Sequence, residues 1–367
     1  MKIGILTYYN VHNHGALLQA YGMQRTLQKM GNEVDFLTFE RNYENMEPGS
    51  EKKYKIGISS IPLYLKYMKD NGLGTFVYNG KKSLALNKFR KKLLAIGEEY
   101  FKCHRDAVCI GSDEVFSIEI GYNPFFYGLD VDAPCIFSYA GSFGPTTLYD
   151  VEQSNHKENI ADGLRQMKSV SVRDNNSKKI VESLTDKEAV LVCDPVILYG
   201  YEEEIRAIKK KKKPSTKYIL LYSYDKNSNS FEEIRALREY AKRHGLKIYS
   251  VGYYHKWCDM NINVSPLDLF YYFCNAELVV TDTFHGTVLS LITNAEFVSL
   301  VRNNGNKLAF LLEQYCLENR IIKDYSELLG REMPKINYVD VNKIIEIERK
   351  KSREYLKNTL ENINDKR

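Results

Sequence analysis

The chain has 367 residues, 44% of them hydrophobic and 27% charged, and 52 Lys+Arg against 47 Asp+Glu leave a formal charge of +5. That length exceeds one ordinary domain and predicts two, each burying its own core. The mild, dispersed charge argues against a nucleic-acid partner, and no stretch approaches the roughly 18 apolar residues of a membrane span.

The opening MKIGILTYYN lacks the apolar core and small-residue cleavage site of a signal peptide and reads as a first strand. A cytoplasmic protein is therefore expected, with at most peripheral contact at the inner membrane surface. The helix GALLQAYGMQRTLQKMG follows, closed by Gly31 as a C-cap signal. Between strand and helix, His12, Asn13, His14 and Gly15 occupy the position of a phosphate-binding turn. The GxGxxG fingerprint is missing, which disfavours a dinucleotide, and two histidines without further clustered ligands do not predict a metal.

EVDFLTF, AVCIGSD, CIFSYAG, SVSVRD and AVLVCDPVIL continue as strands of a first domain over residues 1–205, interrupted by an insertion over 42–106 that is rich in Tyr and Lys. Long connections of that kind serve sites more often than cores. Five lysines, Lys209 to Lys213, and Pro214 then mark a solvated linker over 206–216. A second α/β series over 217–335 runs through YILLYSY, KIYSVGYY, LVVTDTF, HGTVLSLITNA and EFVSLVR, and a charged helical tail fills 336–367. Its apolar Ile344, Ile345, Tyr355, Leu356 and Leu360 are expected to pack on the body, with a basic amphipathic surface helix as the runner-up. Alternating strands and helices in two blocks predict two Rossmann-like, doubly wound α/β domains with a cleft at the carboxyl edges of their sheets. Seven cysteines (Cys103, Cys109, Cys135, Cys193, Cys258, Cys274 and Cys316) lack CxxC or Cys/His spacing and read as reduced packing residues, with no zinc site.

Within that frame His285 stands where a strand gives way to a helix beginning near Gly286. There it either meets an anion beside free helix N–H groups and transfers a proton, or is satisfied by backbone as a cap-like residue. Arg173 ends the strand SVSVRD, again at a carboxyl edge, where its fork can grip a carboxylate or phosphate or simply pair with Asp174. Gly111, Ser112 and Asp113, and likewise Gly141, Ser142 and Gly144, follow buried strands. Such turns permit close ligand approach or serve as ordinary punctuation.

Taken in order, NHGALLQAYG, GSDEVF, SYAGSFG, SVRD, CDPVIL and VVTDTFHGTVLSLITNAEFVSL resemble the polysaccharide pyruvyl transferase family, from the first strand to about Leu312. The resemblance implies a two-domain fold like that of GT-B glycosyltransferases, with phosphoenolpyruvate as donor and two hydroxyls of a sugar as acceptor. The product is a pyruvate ketal, and no cofactor or metal is demanded. Forming the ketal requires an acid/base group, and His285 is expected to serve as it or to stabilise the leaving phosphate, with Asp113 as the next candidate, binding an acceptor hydroxyl or removing its proton. Donor contacts are expected from Arg173, Thr283, Phe284, Gly286 and Lys307, and acceptor contacts from Asn13, Gly15, Ser112, Glu114 and Ser142. The chain departs from the pattern at Thr283, where some members carry arginine, and in GSDEVF, where GSDQVW is usual, so Glu114 and Phe116 alter the acceptor side. The expected partners are phosphoenolpyruvate and a sugar or lipid-linked oligosaccharide. Two other readings on the same frame are a nucleotide-sugar glycosyltransferase and a non-catalytic sugar-binding relative.

Overall fold

The computed structural model describes residues 1–40, 61–102, 104–302 and 306–364, with the side chains of 61–71, 306 and 362–364 left aside. Residues 41–60, which include residues 42–60 of the expected insertion, lie outside the described residues, as does Cys103.

The first unit runs β1 (Lys2–Leu6), α1 (His14–Lys29), β2 (Glu33–Thr38), α2 (Ile61–Leu93), β3 (Ile96–Glu99), β4 (Ala107–Ile110) and β5 (Ile136–Ser138). Helices α3 (Leu148–Gln153) and α4 (Lys157–Gln166) precede β6 (Ser171–Val172), α5 (Asn175–Leu184), β7 (Val190–Leu191), α6 (Pro195–Tyr199) and α7 (Glu202–Lys209). The sheet order is β3-β2-β1-β4-β5, all parallel. An isolated parallel bridge from Phe137 to Ser169 carries it on to the β6-β7 pair.

The stretch read as an insertion thus also supplies β3, an edge strand on β2. AVLVCDPVIL is strand only at Val190–Leu191, because Asp194 caps α6 and Pro195 occupies its first turn, where the missing N–H of proline costs nothing.

The second unit comprises β8 (Tyr218–Tyr222), α8 (Phe231–Arg243), β9 (Lys247–Val251), β10 (Met260–Ile262), α9 (Leu269–Asn275), β11 (Leu278–Thr281), α10 (Phe284–Thr293), β12 (Phe297–Leu300), α11 (Asn306–Gln314), β13 (Ile321–Ile322) and α12 (Glu327–Gly330). Its sheet order is β10-β9-β8-β11-β12-β13, again parallel throughout. Strands β1, β4, β8 and β11 are almost wholly buried, as parallel strands covered by helices on both faces must be. Both sheets reverse their winding beside the first strand, between β1 and β4 and between β8 and β11. Such switch points open crevices at the carboxyl ends of strands.

The last helix, α13 (Tyr338–Asn364), returns to the first unit. The Tyr355 hydroxyl donates to the Ser138 carbonyl at 2.8 Å, Ser352 Oγ accepts from the Cys193 amide at 3.0 Å, and Arg349 Nε donates to the Ile197 carbonyl at 2.6 Å. Ile345, Tyr355, Leu356 and Leu360 are buried and Ile344 is partly so, which places this face of the helix on the body of the protein. The six described cysteines are unpaired; Cys109, Cys135 and Cys193 are buried, and Cys316 is exposed.

Candidate active site where two switch points meet

The crevices of the two sheets meet at the first turn of α1, where Gly15 touches His285 and His14 reaches Val264. Asn13 caps α1, its side chain accepting from the amides of Gly15 at 2.8 Å and Ala16 at 3.3 Å. Gly15 then lies against His285: a Cβ at Gly15 would stand 2.3 Å from His285 Cγ. Only glycine leaves the imidazole its place. The adjacent His14 reaches the second unit, with Nε2 donating to the Val264 carbonyl at 3.0 Å. Burial, followed by the charge of Lys82, pushes its pKa down to about 3, so this histidine is a neutral tie between the units.

On the opposite side, Thr283 is the N-cap of α10, its Oγ1 accepting from the Gly286 amide at 2.9 Å. The threonine found in place of a family arginine therefore holds the helix start rather than a ligand. Gly286 admits no side chain, since a Cβ there would fall 2.1 Å from Thr281 Oγ1. Phe284 turns its ring under the Arg173 guanidinium, 4.5 Å from carbon to centroid, and His285 stands perpendicular to that ring.

Arg173 is only 5% exposed and is committed at both ends of its fork. Nη1 donates to Asp194 Oδ2 at 3.0 Å and Nη2 to Asp113 Oδ1 at 3.1 Å. Asp113 is held at a left-handed φ of 72° in the turn after β4. Asp194 caps α6 through Oδ1, leaving Oδ2 to Arg173 and, 3.9 Å away, to His285 Nε2. That last gap exceeds hydrogen-bond reach. His285 Nε2 and Arg173 Nε are consequently both buried without a hydrogen-bond partner among the described residues. Lys307, from α11, is joined to Glu114 across the cleft.

Burial lowers the His285 pKa, Asp194 and Asp113 pull it back up, and Arg173 and Lys307 push it down again; the net direction is downward, toward a neutral ring. For Asp113, burial raises the pKa but is outweighed by Arg173, His285 and Lys307, so it stays ionised. Arg173 loses by burial and gains more from Asp113 and Asp194.

Arg173, His285, Asp113, Lys307, Glu114 and Phe284 are thus brought to one place, and Gly15, Thr283 and Gly286 shape it. Two residues expected at the acceptor are not available to it. Ser112 is fully enclosed, donating to Gln19 Oε1 at 3.0 Å, in a chain that continues from Gln19 Nε2 to Thr7 Oγ1 and from Thr7 Oγ1 to the Ser112 carbonyl. Ser142 is enclosed as well, donating to Asp174 Oδ2 at 2.7 Å and accepting from the Gly144 amide. Phe116 packs in the core against Tyr127 and Phe143. Asp194 was missed at the sequence level, although an Asp-Pro pair ahead of an apolar run is a helix-start signal at a strand's carboxyl edge. Tyr224, after β8, was missed too; burial of its hydroxyl end, then Glu114 and Asp113, raise its pKa, which sets it within their field.

A family model described as polysaccharide pyruvyl transferase matches residues 13–304, from the cap of α1 through α10 and β12. The chain belongs to the polysaccharide pyruvyl transferase family. No curated protein matches it. Among solved structures, UDP-N-acetylglucosamine 2-epimerase from Rickettsia bellii is similar at 12% identity and a TM-score of 0.52, over 99% of this chain and 96% of that one. Arabidopsis thaliana UGT89C1 complexed with UDP is similar at 9% identity and a TM-score of 0.50, over 98% and 99% of the two chains. At such identities the likeness speaks for the fold alone, and that fold is the two-unit GT-B arrangement of Rossmann-like sheets. Among the described residues no group of three or more His, Cys, Asp or Glu side chains is placed to hold a metal ion, and no helix is long and apolar enough to cross a membrane.

Proposed function

We propose that this pyruvyl transferase family member moves the pyruvate unit of phosphoenolpyruvate onto two hydroxyls of a sugar, in the cytoplasm. The observation that carries the reading is the pair of buried, unpartnered nitrogens, Arg173 Nε and His285 Nε2, beside an ionised Asp113. Unsatisfied buried donors of this kind are costly, and a small anion between the units would satisfy both. The donor's carboxylate and phosphate then fall to Arg173, to the first turn of α10 and to Lys307, which exchanges Glu114 for phosphate.

The chemistry balances with these groups. A proton adds to the donor's methylene carbon, a sugar oxygen bonds to the central carbon, and phosphate leaves with the electron pair of the C–O bond. The second hydroxyl closes the ketal, its proton passing to solvent or phosphate. Asp113 accepts a hydroxyl proton. His285, neutral in the empty site, gains a proton when the dianion arrives and delivers it to the methylene.

Calorimetric titration of phosphoenolpyruvate in buffers of different ionisation enthalpy tests this. Saturable binding with net proton uptake near neutral pH is expected, with the uptake lost in His285→Ala. Absence of binding in the unaltered protein overturns the assignment. A second reading, sugar binding without transfer, draws on the two cations and three carboxylates at the site (Arg173 and Lys307 against Asp113, Asp194 and Glu114), since carboxylates accept from sugar hydroxyls and repel a phosphorylated donor. Saturable sugar binding with no phosphate released from phosphoenolpyruvate would select it.

A further inference from the structure

Helix α2 is broken at Gly72, where φ is 82°, and from Leu73 onward its two faces differ in character. Tyr78, Lys82, Leu86 and Phe89 turn inward and are buried. The Tyr78 hydroxyl donates to the Ile262 carbonyl at 2.9 Å, and Asn263 donates back to the Tyr78 carbonyl at 3.0 Å. Lys82 Nζ stands over the Tyr253 ring, 4.4 Å from its centroid, and Phe89 meets Tyr21 of α1 edge-on at 5.8 Å. The helix is thus fastened to both units, which fixes the face it turns outward.

On that outer face Leu73, Val77 and Leu84 are 66%, 46% and 72% exposed. Lys81, Lys88, Lys91 and Lys92 are exposed among them, and the helical repeat gathers all seven into one stripe about 100° wide. The helix offers these lysines no carboxylate, since no Asp or Glu occurs between Gly72 and Leu93. Helix α13, also rich in lysine, mixes Glu346, Glu348, Glu354 and Glu361 with its cations and spends Ile345, Leu356 and Leu360 on the body. The five lysines ahead of β8, Lys209 to Lys213, extend the basic surface of α2: all are exposed, and Lys211 and Lys212 share one groove with Ala85. The Tyr271 hydroxyl holds that run in place, donating to the Lys212 carbonyl at 2.8 Å, and Asp268 stands 3.6 Å from Lys211.

We infer that the outer stripe of α2, with the adjoining lysine run, docks on an anionic lipid surface. Leu73, Val77 and Leu84 enter the headgroup boundary, and the lysines bury their stems while their ammonium groups meet lipid phosphates. From Leu73 to Leu84 the stripe is about 16 Å long, and it lies in the plane of the surface. A nucleic acid would match the lysines and gain nothing from three exposed aliphatic side chains, and the stripe carries no aromatic ring on which a base could stack. A twofold contact of this face with a second copy would set lysine against lysine. A lipid surface takes both kinds of side chain at once. The inference goes beyond the donor assignment and stands on these side chains alone.

Sedimentation of the full chain with vesicles is the test. Vesicles of phosphatidylcholine mixed with phosphatidylglycerol are expected to carry the protein down, and vesicles of phosphatidylcholine alone are not. Binding should weaken about fivefold in Lys88→Gln and about tenfold in Leu84→Ser. Both positions are exposed and outside the candidate active site, so both variants should keep the urea midpoint of the parent. Leu84→Trp reads insertion directly. Its emission should move to the blue on the mixed vesicles, whereas the chain's one native tryptophan, Trp257, donates to the Ser228 carbonyl at 2.9 Å within the second unit and should not respond in the parent. Failure to sediment with the mixed vesicles, or sedimentation that Leu84→Ser leaves unaltered, would overturn the docking surface. Retention on heparin by a chain that ignores vesicles would overturn it too, in favour of a polyanion on the lysines.

Discussion

Arg173 and Lys82 are both largely buried cations, and they are satisfied in opposite ways. Arg173 holds two carboxylates and an aromatic face, so its position is fixed before any ligand arrives and only Nε is left over. Lys82 has an aromatic face and no bonded carboxylate, Asp225 acting on it only at a distance. The first arrangement fixes positions at the expense of local positive charge, which the carboxylates cancel. The second keeps its charge and positions less. One protein can thus carry a buried cation whose charge is cancelled and another whose charge is kept, and the carboxylate partners decide which is which.

The strongest way to break that contrast is Arg173→Ala. It strands Asp113 and Asp194 as buried charges, and urea unfolding is expected to show a loss of about 3–5 kcal/mol, whereas Lys82→Met removes an uncompensated charge and stays within about 1 kcal/mol of the parent. Equal losses in the two variants would dissolve the distinction.

Next in size is Gly15→Ala. Its Cβ collides with His285, and a displacement of the order of 1 Å at a reacting group is expected to lower kcat about a hundredfold in a phosphate-release assay. His14→Leu follows, expected to cost about 1–3 kcal/mol at neutral pH because the Val264 carbonyl loses its donor. The same variant sharpens the pH dependence. His14 has a folded pKa of about 3 against 6.5 when unfolded, so its contribution is complete above pH 6.5 and is lost as pH falls toward 3. The stability-versus-pH curve should be flatter over that window in His14→Leu. The smallest effect is expected of Thr283→Val, about 1 kcal/mol from the lost cap of α10, read as a lowered unfolding midpoint.

The alternation of strand and helix was legible because parallel strands buried on both faces appear as short apolar runs, and the tandem arrangement followed from its repetition. His285 and Arg173 were legible for a related reason: each follows a strand at the carboxyl edge, where topology alone predicts a crevice. Ser112 and Ser142 show the limit of that logic. A serine beside a glycine turn looks the same in sequence whether it faces a ligand or braces the backbone, and here both brace it. Asp194 carried a cap signal whose second oxygen gave no sign of its partners. Lys82 was illegible because its environment comes from Tyr253, in the loop after β9 of the other unit, and is created only when the two units meet.

The return of α13 to the first unit has a mechanical consequence. The backbone passes between the halves twice, once ahead of β8 and once after β13. Two crossings act as the pins of a door: the halves turn about the line joining them and cannot slide apart. How far Gly15 lifts from His285 in any opening is therefore set by their distance from that axis.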